Sequence, residues 1–406
     1  MEWISELSEA FDHFYLAKDQ DKLNEIGKRL VNFYYKSSYF QTALTYCQKV
    51  EQTCGEEIDD WFYNVLGLIY KMFGKNDVAL SYFEKELLIE QEKGDRQGEG
   101  TTLNNIGLIH HARGDYDTAL RYFEQSLEII RDIADRNCEN STLNNISQIY
   151  KVRGDFDTAL RYLNQSLEIS RDIEDRKVEG LTLNNIGTIY QALGNYKNAL
   201  RYIKQSLEIR LEILDRQGEQ QSLNNIGTIY QVLGDDETAL RYFEQSLEIC
   251  RDIGDRQGEN TALANIGTIY QERNDYKTAL RYFEQSLVIS RDTDDRQSEG
   301  TTLNNISTIY HARGDCETAL RYLEQGLEIM REIGDKSSMC ITLISLGIIH
   351  YQNNDHQNAK IHWLTSYKIA KEIGFAQALT SLEIGAQQLG GNDLSFWDAI
   401  AEKMGI

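Results

Sequence analysis

The chain has 406 residues, with 64 acidic side chains against 42 basic ones and a formal net charge of −22 at pH 7. That balance excludes a general nucleic-acid binder, which needs clustered positive charge against phosphate, and it excludes docking on anionic membrane surfaces. There is no proline, so proline-rich linkers are excluded and long uninterrupted helices fit.

Residues 1–56 are the first unit in chain order. An amphipathic stretch over residues 4–15 precedes Val31, Tyr34 and Ala43, which stand at the spacing of a degenerate helix pair. The aromatic group Phe33, Tyr34, Tyr35, Tyr39 and Phe40 reads as capping core, with a partner site as the alternative. The start Met1-Glu2-Trp3-Ile4 has neither the basic region nor the apolar run of a signal peptide. No stretch approaches 18 apolar residues, and the expected location is cytoplasmic. The six cysteines lie in no paired metal spacing and read as reduced thiols.

Residues 57–374 carry a repeat. Gly67, Gly107, Ser147, Gly187, Gly227, Gly267, Ser307 and Gly347 recur at an interval of 40, and twelve residues after each stands an alanine, Ala79 to Ala359. A fixed period of that length signals stacked supersecondary units. Within residues 95–134, Asp95 is placed to cap a helix bearing Glu99 in its first turn. Leu103, Ile106, Ile109 and His110 then mark one buried face. Gly114 ends that helix and Asp115 caps the next, which buries Tyr116, Ala119, Leu120, Phe123, Leu127 and Ile130. The expectation is eight antiparallel helix pairs of about 17 residues per helix. Residues 375–406, with Leu379, Leu382 and Gly385, begin an incomplete pair closed by a short helix over residues 396–401. Atypical end units keep the faces of a stack out of water.

The small residue, aromatic, alanine and second large residue of each unit, as in Gly187, Tyr190, Ala199 and Ile203, resemble the tetratricopeptide repeat. The 40-residue period and the runs Leu183-Asn184-Asn185-Ile186-Gly187 and Gly254-Asp255-Arg256-Gln257-Gly258-Glu259 are similar to its long-repeat branch, which includes kinesin light chain and Pins-type adaptors. The family's closing proline is absent. The resemblance implies an all-α fold, a right-handed α-solenoid of stacked antiparallel helix pairs. It also implies that the first helix of each pair lines a concave groove for a protein or peptide ligand.

Two asparagine columns would line that groove. The first is Asn105, Asn145, Asn185, Asn225, Asn265 and Asn305; the second is Asn104, Asn144, Asn184, Asn224 and Asn304, broken by Ala264. Thr188, Thr228, Thr268, Gln191 and Gln231 stand further round. An amide both donates and accepts, which suits an extended peptide backbone, and the resemblance implies that role for the first column. The alternative is that these amides satisfy backbone groups of the neighbouring repeat; for the second column the two readings are even. The basic residues of a carboxylate clamp are missing, since Lys151, His111 and His311 are scattered.

No cofactor or metal is expected. Gly94, Gly98 and Gly100 follow a helix rather than a strand, and His350, His356 and His362 are not at one-face spacing. The Asp-Arg pairs at 135, 175, 255 and 295 read as caps and inter-repeat bridges. With no segment left for a catalytic domain, the expected function is a non-enzymatic scaffold or adaptor. The alternative is a regulatory subunit of a separate effector, such as a caspase-like protease or a signalling ATPase. Pairing of two copies through an exposed end stays open.

Overall fold

A computed structural model describes residues 2–37 and 39–404, and the chain parts into two compact units between Asn195 and Tyr196. Both are helical, with no strand among the described residues. The first unit opens with a lone helix, Glu2–Ala17. Pairs follow at Gln20–Lys36 and Phe40–Cys54, Trp61–Met72 and Asn76–Lys93, Arg96–Ala112 and Tyr116–Asp132, and Arg136–Val152 and Phe156–Asp172, and Arg176–Ala192 closes it. The second unit opens with Tyr196–Glu212 and continues through the pairs beginning Arg216–Val232, Arg256–Glu272, Arg296–Ala312 and Lys336–Gln352. Ala376–Gln388 and Ser395–Met404 complete it. The chain is an all-α solenoid. Below, the first helix of a pair is A and the second B.

Aspartate starts nearly every regular helix. Asp95 accepts from the Gly98 backbone N–H at 3.0 Å and Asp115 from that of Thr118 at 3.2 Å, each satisfying a donor that the first turn would leave unpaired. Hydrogen bonds from Thr118 hold the Asp115 carboxyl below the usual carboxylate range. The Asp-Arg pairs do what their spacing suggests. Asp135 caps, while Arg136 reaches the buried Glu139 at 3.0 Å; Arg131, from the preceding B helix, reaches the same carboxylate at 2.8 Å. Arg171 with Arg176, Arg251 with Arg256, and Arg291 with Arg296 repeat this clamp on Glu179, Glu259 and Glu299. Each clamp ties one repeat to the next.

The small residue of each repeat is fixed by what faces it. A Cβ on Gly107 would lie 2.6 Å from the Phe123 ring, and Gly227 and Gly267 stand equally close to Phe243 and Phe283. Where serine replaces glycine, at 147 and 307, the residue sixteen on is Leu163 or Leu323 rather than phenylalanine. In the degenerate first pair Val31 and Cys47 share the same core, so the bulk has changed sides. At these positions a larger A-side residue accompanies a smaller B-side one, as close packing favours, although Gly347 faces the still larger Trp363.

Turns between B and the next A helix need one residue in the left-handed region. Gly94 and Gly254 supply it freely, but Ala134, Glu174, Leu214 and Asp294 adopt φ of 54° to 57° with a side chain, at a steric cost. Leu214 is 81% exposed, so its side chain gains little in return. Leu214→Gly is expected to raise stability by about 0.5–1 kcal/mol; a urea midpoint unchanged or lowered would refute the strain.

Candidate functional site

Within the regular repeats of each unit, the helices that pack together without being chain neighbours are successive A helices. A stack drawn together on its A side has that side as its inner wall. Residues on it lie along each A helix at intervals of three and four, so the two asparagine columns, one residue apart, point about 100° from each other.

That rotation separates their roles. Asn144, 5% exposed, turns into the seam: its Nδ2 donates to Ser166 Oγ at 2.6 Å, to Thr182 Oγ1 at 3.1 Å and to the Asn140 carbonyl at 3.2 Å. Its Oδ1 accepts from Asn185 Nδ2 at 3.2 Å. Asn184 is equally buried. Asn104 and Asn224 accept at Oδ1 from Asn145 and Asn265, each at 2.9 Å, and Asn304 donates to Thr342 at 2.7 Å. Asn144 and Asn184 are therefore taken up between repeats, whereas Asn104, Asn224 and Asn304 stay half-buried while bonding to the next repeat. A buried amide costs free energy unless paired, and the next repeat supplies the pair.

The first column stays on the wall. Asn145, Asn185, Asn225, Asn265 and Asn305 are half-buried, while Asn105 is buried. Asn145, Asn185 and Asn265 each commit one amide hydrogen to the ladder, which orients the group and leaves the carbonyl oxygens of Asn145 and Asn265 without a donor among the described residues. Asn305 differs because Ala264 stands where its ladder partner would be, and its amide has no such bond. The ladder also stops at Ser345, whose hydroxyl turns back to the Ile341 carbonyl at 3.1 Å; Asn304 Oδ1 is consequently buried with no hydrogen-bond partner.

The threonines are half-committed. Thr188, Thr228 and Thr268 donate to their own helix, to the carbonyls of Asn185, Asn224 and Ala264 at 2.9–3.0 Å, so they can offer a ligand only an acceptor. Lys151 donates to Thr188 Oγ1 at 3.0 Å, and burial lowers its pKa. Gln191 is half-buried on the same wall, and Gln231 reaches Glu272 only at 3.4 Å.

One feature of the wall escaped the sequence reading. Gln217, Gln220, Gln221, Asn224 and Asn225 face Asp255, Gln257 and Thr261 across a depression of about 270 Å³. Gln220 and Gln221 stand where the repeat before has Gly180 and Leu181, and that departure was the available signal. His350 and His362 stack at 5.2 Å where other repeats stack two tyrosines, as in Tyr270 on Tyr282 at 5.7 Å. Among the described residues no group of histidine, cysteine or carboxylate side chains could hold a metal ion, and no helix is long and apolar enough to cross a membrane.

The sequence profile of the tetratricopeptide repeat matches residues 57–132, 138–212, 219–292 and 298–372. No curated protein matches the chain. Among solved structures, a signal-transduction ATPase (STAND) protein with a tetratricopeptide repeat sensor, from Pyrococcus horikoshii, is similar at 19% identity and a TM-score of 0.61. The match covers 89% of this chain and spans only 55% of that one. The apo quorum sensor NprR from B. thuringiensis is similar at 14% identity and a TM-score of 0.60, over 81% of this chain and 99% of that one. The Rap conjugation regulator of plasmid pLS20, in complex with the Phr* peptide, has 14% identity and a TM-score of 0.56, over 83% and 98%. At such identities the likeness is one of fold. With the profile running through well over half of its length, the chain belongs to the tetratricopeptide-repeat family.

Proposed function

We propose that this protein is a non-catalytic interaction scaffold that holds an extended peptide segment of a partner along the A-helix wall. The observation that carries the reading is the first asparagine column at Asn145 and Asn265, where the ladder holds each amide in orientation and leaves its carbonyl oxygen without a donor among the described residues. Successive repeats stand about 10 Å apart and an extended chain advances about 3.3 Å per residue, so each asparagine would meet every third residue of a ligand. The Phr* complex of the pLS20 Rap regulator supports a peptide as the occupant.

The ladder dictates the test. Alanine at Asn265 removes an inter-repeat bond as well as a wall amide, whereas alanine at Asn305 removes only the wall amide. Peptides selected on the wild-type protein from a displayed random 12-residue library are expected to bind Asn305→Ala about fivefold more weakly, one hydrogen bond's worth. The melting temperature should not move. Unchanged affinity would reject the asparagine column as the ligand contact.

A second reading, a sensor or regulatory subunit of a separate effector, draws on the STAND protein, whose tetratricopeptide repeat sensor accompanies an ATPase. Altered ATP turnover of a co-purifying ATPase on addition of this protein would favour it.

A further inference from the structure

We infer that the wall ends in an apolar anchor site at its C-terminal repeat, which takes a bulky aliphatic or aromatic residue of the partner's extended, uncharged segment. This rests on the reading of the wall as a peptide-binding surface and specifies what that surface selects.

The columns that are threonine or asparagine at 301, 304 and 308 become Ile341, Ile344 and Ile348 in the last full A helix, and Ile384 follows 40 residues after Ile344. Ile344 leans into the core, but Ile341, Ile348 and Ile384 are 51%, 39% and 55% exposed. Ile341 and Ile348, two turns apart on one helix face, leave apolar area in water that a ligand side chain would cover.

Charge identifies the occupant. In a chain of net charge −22, residues 337–352 and 376–388 carry Glu383 as their only carboxylate and no lysine or arginine. His350 is drawn toward Asp355 at 3.1 Å and stacks on His362, away from the wall. A charged segment would find no counter-charge here, whereas an apolar residue with uncharged neighbours loses nothing. The chain's own last helix is engaged elsewhere: Trp397 is fully buried and donates to the Leu382 carbonyl at 2.9 Å, and Asp398 pairs with Lys371 at 2.9 Å. Ser345, next in the column of Asn265 and Asn305, stands between Ile341 and Ile348 on the same helix. One repeat is about 10 Å, so the anchor residue falls about three residues beyond the one that meets Asn305.

The test compares the full-length protein with Ile341→Thr/Ile348→Thr, the residues found 40 positions earlier, on exposed sites that leave folding intact. A displayed random 12-residue library is selected on each. The wild type is expected to enrich Leu, Ile, Phe or Met at one fixed position, and those peptides should bind the double variant about tenfold more weakly. Selected peptides without that preference, or with the preference kept by the double variant, would overturn the anchor while leaving the amide wall standing. Failure to select any peptide would overturn both. A wild-type dimer in sedimentation that the double variant abolishes would assign the isoleucines to a second copy and overturn the anchor.

Discussion

Replacing Gly107 with serine is expected to destabilise the protein by about 2 kcal/mol, an overpacking cost, and adding Phe123→Leu should recover at least about 1 kcal/mol of it. The Cβ that serine brings would stand 2.6 Å from a ring atom of Phe123, which is fully buried and has nowhere to retreat. Phe123→Leu alone should also cost stability, through the gap left above Gly107. The protein already contains the double variant twice, as Ser147 with Leu163 and Ser307 with Leu323. Ser147 also returns its hydroxyl to the Asn144 carbonyl at 2.6 Å, so the serine brings no unpaired polar group into the seam. Urea unfolding of the two single variants and the double gives the coupling directly. Additive losses would mean that the pairing of small with large residues reflects duplication history rather than packing.

The same contrast shows what the amino-acid sequence could and could not reveal. Caps, turn glycines and the period were legible because each depends on neighbours close in sequence, and helices of 17 residues followed from them. Asn104 and Asn105 were not separable in the same way. Both are asparagine, adjacent, and recur together, and only the approach of the next repeat decides which of the two meets Thr142 and Asn145. The informative letters were the exceptions. Ala264 and Ser345 interrupt the ladder, and Ile341 and Ile348 interrupt the polar wall. Each is visible in an alignment of the repeats with one another, yet its meaning depends on a partner about 40 residues away. Glu86 and Glu90 belong to the same class, since they occupy positions that later repeats give to Ser126 and Ile130.

Those two carboxylates should make the protein less stable as pH rises from 5 to 8, by on the order of 6 kcal/mol for the pair. Both are nearly fully buried on the helix Asn76–Lys93, one turn apart. Glu86 Oε2 accepts from Asn64 Nδ2 at 3.2 Å, while Glu90 Oε2 and the neighbouring Thr102 Oγ1 have no hydrogen-bond partner. Burial, reinforced by Glu90, raises the Glu86 pKa to about 8; burial, with Asp95, Asp60 and Glu99 adding to it, raises that of Glu90 to about 7. The folded state therefore holds protons that the unfolded chain releases near the ordinary carboxylate value. The contribution is fully present below that value and lost as pH climbs through 7 and 8. Capping aspartates such as Asp115 and Asp155 act in the opposite sense, because their folded pKa is lowered; they are ionised throughout this window and contribute no slope. His111 and His362, lowered by burial, would make the protein more stable as pH rises, so a net decline is attributable to the glutamates. Glu86→Ser/Glu90→Ile, the residues of the next repeat, should flatten the profile and raise the urea midpoint at pH 8 far more than at pH 5. An equal gain at both pH values would mean the carboxylates stay ionised in the fold, held by a counter-charge the seam does not show.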